Sequence, residues 1–85
     1  MTVTVPGYST VSSRPLAIVS LLRESAYIGK PGRTIDEYIA SVQDYAESIF
    51  GVRLNISGNT MEARAESLLR EMNRFEFVII EEESQ

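Results

Sequence analysis

Thr34-Ile35-Asp36-Glu37 opens a run of apolar residues at three- and four-residue steps, and no other stretch limits the fold as tightly. A threonine with a glutamate three residues on forms a reciprocal cap, each side chain satisfying an otherwise unpaired first-turn N–H. Ile35, Tyr38, Ile39, Val42, Tyr45, Ala46, Ile49 and Phe50 then draw one wide apolar stripe, the signature of a helix half-sunk in a core. Gly51 offers the left-handed residue that ends such a helix. The pattern predicts a helix with Ile39, Val42 and Ala46 at the centre of the core and Asp44 on the solvated side.

The rest of the chain must supply partners for that stripe. Thr2 to Val5 alternates like a short strand and stops at Pro6-Gly7, and Tyr8 to Ser13 reads as a polar loop. A first helix is expected from Arg14 to Ala26, with Ser13 as N-cap and Pro15 in the first turn, where its missing N–H costs nothing. Leu16, Ala17, Ile18, Val19, Leu21 and Leu22 cover most of its circumference, which predicts a central helix buried on several sides. Val52, Leu54 and Ile56 alternate with polar residues as a half-buried strand does. A third helix is expected over 60–74, capped by Asn59 with Glu62, its inward face formed by Met61, Ala65, Leu68, Leu69 and Met72. Phe75 to Ile80 has the composition of a closing strand, apolar on both faces from Phe77 onward. The expected fold is α+β, three helices packed on a small two- or three-stranded sheet in the order β-α-α-β-α-β.

Eighty-five residues make a single domain, 1–85, with an N-terminal strand and loop over 1–13 and an acidic tail over 81–85. There is no cysteine, which removes disulfides and thiolate metal sites and suits a cytoplasmic location. No run approaches the length of a spanning helix, and the first residues lack the pattern of a secretory signal, so no membrane partner is expected. Asn55-Ile56-Ser57 fits a glycosylation sequon, a tripeptide that recurs by chance.

Function is bounded mainly by exclusion. The chain has no histidine, one lysine and no nucleophile motif, so proton transfer near neutral pH lacks its usual agent and no enzyme is expected. The carboxylate pairs Glu62/Glu66 and Asp44/Glu47 are explained by helix dipoles and solvation, so neither metal nor cofactor is expected. Charge divides unevenly: residues 1–33 carry four cations against one acid, and residues 34–85 carry four arginines against eleven acids, +3 against −7.

Two basic groups are candidate sites for an anion or a partner. Lys30 and Arg33 lie in a glycine-rich loop before a helix N-terminus, where backbone N–H groups can hold an anion. A glycine turn with solvated charges explains them equally. Ser67, Arg70 and Arg74, with Arg64 at the edge, form a small and basic outward stripe on the third helix, as a groove-reading helix would. Cations near a helix C-terminus also complement its dipole without any ligand.

The order of elements from about residue 14 to 80 resembles a winged-helix domain. It departs from that pattern after Ile80, where Glu81-Glu82-Glu83-Ser84-Gln85 replaces the wing, and the Thr2–Val5 strand is left to fill the vacant sheet position. The resemblance implies either DNA binding through helix 60–74 or, with the basic wing lost, contact with proteins. The reading that follows is a non-enzymatic protein–protein interaction module, a regulator or inhibitor of a larger complex acting as a homo-oligomer. Self-association is expected through Phe77, Val78, Ile79 and Ile80, and nucleic acid is not expected as a partner because acids surround the few arginines.

Overall fold

The computed structural model describes residues 1–81 of the chain. Its elements run β1 (Thr2–Thr4), β2 (Thr10–Ser12), α1 (Pro15–Glu24), α2 (Ile35–Tyr45), α3 (Met61–Arg74) and β3 (Ile79–Glu81), with a π-turn over Ala46–Phe50 continuing α2. Three helices and a three-stranded antiparallel sheet place it in the α+β class expected. Of the acidic tail only Glu81 is described, and residues 82–85 lie outside the described residues.

β1 occupies the middle of the sheet, between β2 and β3. Val3 stands opposite Val11 on one side and Ile80 on the other, so these three share the inner face, with Val3 fully buried. Thr2, Thr4, Thr10 and Ser12 face outward, and their hydroxyls pair across the strands, Thr2 Oγ1 with Ser12 Oγ at 2.7 Å and Thr4 Oγ1 with Thr10 Oγ1 at 2.9 Å. The strand beginning at Thr2 thus fills the position beside the closing strand. β2 is an addition where a loop was expected. One apolar residue in three gives no readable period, and the strand forms because the turn at Pro6-Gly7 folds the chain back, Val5 N–H donating to Ser9 O at 2.9 Å.

α1 differs from expectation at both ends and on its surface. Ser13 is no cap, since its N–H belongs to the hairpin and donates to Met1 O, and Arg14 at the N-cap position makes no side-chain cap bond. The free first-turn N–H of Leu16 instead donates to Glu62 Oε2, 2.6 Å away at the start of α3. The helix ends at Glu24, and the chain leaves through Ala26 and Ile28, both left-handed at φ 50° and 60°. Ile18, Val19 and Leu22 are buried, whereas Ala17 and Leu21 face solvent. The helix is therefore one-sided. Its outer apolar residues are surplus to the core.

α2 is capped by Thr34, whose Oγ1 accepts the Glu37 N–H at 3.1 Å, while Glu37 Oε1 accepts at 2.8 Å the N–H of Arg33, one residue before the N-cap, in place of the first-turn N–H expected. Tyr38, Ile39, Val42 and Ala46 are wholly buried. α3 is capped by Thr60, whose Oγ1 accepts from Ala63 N–H, one residue later than the sequence suggested, because the Glu62 carboxylate is engaged by Leu16. Ala65, Leu68, Leu69 and Met72 complete the core, while Met61 at the helix start is exposed.

The segment Val52–Ile56 is extended and alternates in burial as a strand would, with Leu54 at the core, yet it joins no ladder. Side chains of the flanking helices take the place of a neighbouring strand. Gln43 Nε2 donates to Leu54 O at 2.9 Å, Asn55 N–H donates to Glu71 Oε1 at 2.9 Å, and Ser57 N–H donates to Ser67 Oγ at 3.0 Å. Period 2 reports half-burial of an extended chain, and that condition is met here without a sheet.

Candidate functional site

The helical stripe of α2 predicts that Tyr45, Ile49 and Phe50 point inward. They do not: they are 41, 61 and 53% exposed. For Ile49 and Phe50 the cause is the π-turn, whose wider i→i+5 winding breaks the 3.6-residue period after Tyr45 and rotates them off the buried face. Tyr45, the last residue of α2, precedes it and lies at the edge of the stripe. Gly51 then ends the helix at φ 67°, a conformation with no side-chain penalty for glycine, and Val52 N–H closes a wide ring on Ala46 O at 3.2 Å. Phe50 rests on Phe77 with ring centroids 5.0 Å apart and lies 6.0 Å from Tyr45. The outcome is a supported aromatic and aliphatic projection at one end of α2.

Alongside it runs a groove of about 860 Å³ between α2 and the loop that follows α1. Gly29 sets its depth: a Cβ there would meet Ser41 Oγ at 2.7 Å and the Val42 backbone nitrogen at 2.9 Å, so only glycine lets the loop lie this close to α2. The neighbouring Lys30 N–H donates to Ser41 Oγ at 2.6 Å. Ala26, Ile28 and Ala40 give an apolar lining, Lys30 and Asp44 sit on its sides, and Tyr45 and Ile49 close one end.

Lys30 lines the groove, and Arg33 precedes α2 and donates its N–H to the Glu37 carboxylate. Arg23 also holds that loop, donating to Pro31 O and Gly32 O at 3.0 and 3.1 Å. The second basic group is separated from the first and neutralised: Arg64 pairs with Asp36 and Arg70 with Glu66, each at 3.0 Å, and Arg74 lies 3.6 Å from Glu71 and over the Phe75 ring. Ser67 is engaged by the backbone of Ser57 and Asn55. Glu62 and Glu66 serve Leu16 and Arg70.

Phe77 to Ile80 is only partly a strand. After α3 the chain turns through Glu76 at φ 64°, with Phe77 N–H donating to Met72 O at 2.8 Å, and pairing begins at Ile79. Val78 is wholly buried within the chain and has no surface to offer a partner. Ile79 is 48% exposed, and Ile80 and Phe77 are half-buried. Ile80 N–H, turned to the outer edge of the sheet, donates to Asn73 Oδ1 at 3.0 Å. A side chain thus occupies the donor that another strand would need.

Two phenols lock the loop behind the groove. Tyr38 Oη donates to Tyr27 O at 2.6 Å, and Tyr27 Oη donates to Phe77 O, so α2, the loop and the turn before β3 are tied in series. Burial raises both phenol pKa values above the ordinary 10.0, Tyr38 the more strongly. No helix among the described residues is long and apolar enough to cross a membrane. The chain matches no protein-family model, no curated protein and no solved structure.

Proposed function

We propose that this chain is a non-enzymatic protein–protein interaction module of the cytoplasm, a regulator or inhibitor of a larger complex, that recognises protein through the outward face of α2. The observation carrying the proposal is the cluster Tyr45, Ile49 and Phe50, large apolar side chains held in the open beside a groove. Contiguous exposed apolar surface marks interaction sites, and aromatic anchors dominate the energetics of interfaces. The complete absence of histidine and cysteine from the sequence supports a binding role over a catalytic one.

The alternative, a winged-helix-like domain reading DNA with residues 60–74, is disfavoured by the ion pairs of Arg64 and Arg74 and the Arg70–Glu66 bond. Paired arginines must give up their carboxylates before they can neutralise phosphates, so no duplex binding tighter than about 10⁻⁴–10⁻⁶ M is expected at physiological salt. Two measurements separate the readings. Affinity capture from the native host should recover proteins that Ile49→Asp loses and Arg70→Ala keeps, and a duplex titration should show weak binding that modest salt removes. Nanomolar, sequence-dependent DNA binding abolished by Arg70→Ala would refute the module.

A further inference from the structure

The groove runs along α2 from Glu37 to Ile49, the projection stands at its C-terminal end, and that arrangement is self-complementary. We infer that the partner seated on this face is a second copy of the chain, in a two-fold dimer where α2 lies antiparallel to its mate and each Ile49–Phe50 projection enters the other's groove. This rests on the reading of the α2 face as a protein-binding surface.

Three observations support the second copy. The first is distance: the groove spans α2 from Glu37 to Ile49, about 18 Å of helix rise, so a two-fold axis at the level of Gln43 carries the projection of one copy to the far end of the other's groove and sets Lys30, held beside Ser41, near the other's Asp44. The second is charge. Lys30 and Asp44 both line the groove, and neither side chain has an ion-pair partner among the described residues. Antiparallel pairing sets the cation of each copy against the acid of the other and opposes the two helix dipoles. The third is room. Ala40, Ser41 and Ser48 are the small residues of α2 along the groove and keep its floor low enough for a second helix to approach. A stable interface removes about 800 Å² from each partner. Each copy exposes 5311 Å², so the loop and the α2 face need supply only a modest fraction.

This pairing places self-association on α2 and not on the sheet. Asn73 closes the outer edge of β3, and the α2 face carries the larger apolar exposure.

Sedimentation velocity over a concentration series tests the arrangement. The wild-type chain should sediment as a dimer of twice 9.5 kDa and dissociate on dilution. Ile49→Asp should be a folded monomer, shown by an unchanged far-ultraviolet spectrum. Lys30→Glu and Asp44→Lys should each raise the dissociation constant roughly tenfold or more, the equivalent of about 1.4 kcal/mol. Mixing these two variants should restore the dimer. In the mixed pair the two substituted positions face each other with opposite charges, and the unsubstituted Asp44 and Lys30 still face each other across the axis. A contact within one chain gains nothing from mixing. A wild-type monomer at every concentration, a mixture that stays monomeric, or a dimer broken by Ile79→Asp and not by Ile49→Asp would overturn the pairing. If the wild type is monomeric and Ile49→Asp still loses a host protein, the pairing falls and the module stands. If Ile49→Asp changes neither, both fall.

Discussion

Replacing Glu62 by alanine should cost the domain far more than its place on the surface of α3 suggests. The Glu62 carboxylate accepts the Leu16 N–H at 2.6 Å, and α1 has no side-chain cap of its own. Deleting a cap costs about 0.5–2 kcal/mol. The lost bond has a charged acceptor and is partly buried, which argues for the upper half of that range. Glu62 also complements the dipole at the start of α3, adding about 0.3–1 kcal/mol. Together these give roughly 1.5–3 kcal/mol. For a domain of this size about 1 kcal/mol moves Tm by 4–8 °C, so a fall of roughly 6–24 °C is expected in a circular-dichroism melt. Glu62→Gln keeps an acceptor and should lose about half as much. Glu66→Ala is the control on the same helix. It removes only an exposed i,i+4 pair with Arg70, for which about 0.5 kcal/mol is the ceiling. If Glu62→Ala and Glu66→Ala melted together, Leu16 would be capped by solvent and the link between α1 and α3 would not exist.

Ile39 is fully buried in the core, so Ile39→Ala should cost about 2–5 kcal/mol in urea unfolding, while Glu24→Ala on the solvated end of α1 should stay within about 0.5 kcal/mol; equal effects would refute the assigned face. Tyr27 and Tyr38 have folded pKa values raised above the unfolded 10.0, so their contribution to stability is complete below pH 10 and is lost as pH rises toward the folded values. Stability measured by denaturant titration should therefore decline above pH 10, and Tyr38→Phe should flatten that decline; an unchanged slope in the variant would exclude Tyr38 as its source.

Much of the fold is legible in the sequence because it rests on local rules. The Thr34 cap, the inward faces of α2 and α3, and the strand at Thr2–Thr4 follow from capping chemistry and periodicity. What escapes is whatever depends on a distant partner. Glu62 reads as a cap for its own helix and serves another one 46 residues back in the chain. Val52–Ile56 has a strand's period and is held by side chains. The candidate site escapes for a related reason. Lys30 and Arg33 are recognisable as exposed loop cations, but Tyr45, Ile49 and Phe50 match a core stripe, and the π-turn that carries Ile49 and Phe50 outward leaves no mark in the periodicity. The adjacency of Ile49 and Phe50 in the last turn before Gly51 is the one hint the sequence holds.

The π-turn has a consequence for how this surface could be gained or erased in descent. Substitution alters one side chain of the projection at a time and leaves its neighbours in place. Loss of a single codon between Ala46 and Phe50 would shorten the wide winding to an ordinary one and re-aim Ile49 and Phe50 together, while Tyr45, which precedes it, would stay in place. Insertion at the same place in an ordinary helix would re-aim both in one step, with no change in apolar content. The exposure of this pair is set by the length of one turn as much as by the side chains it carries.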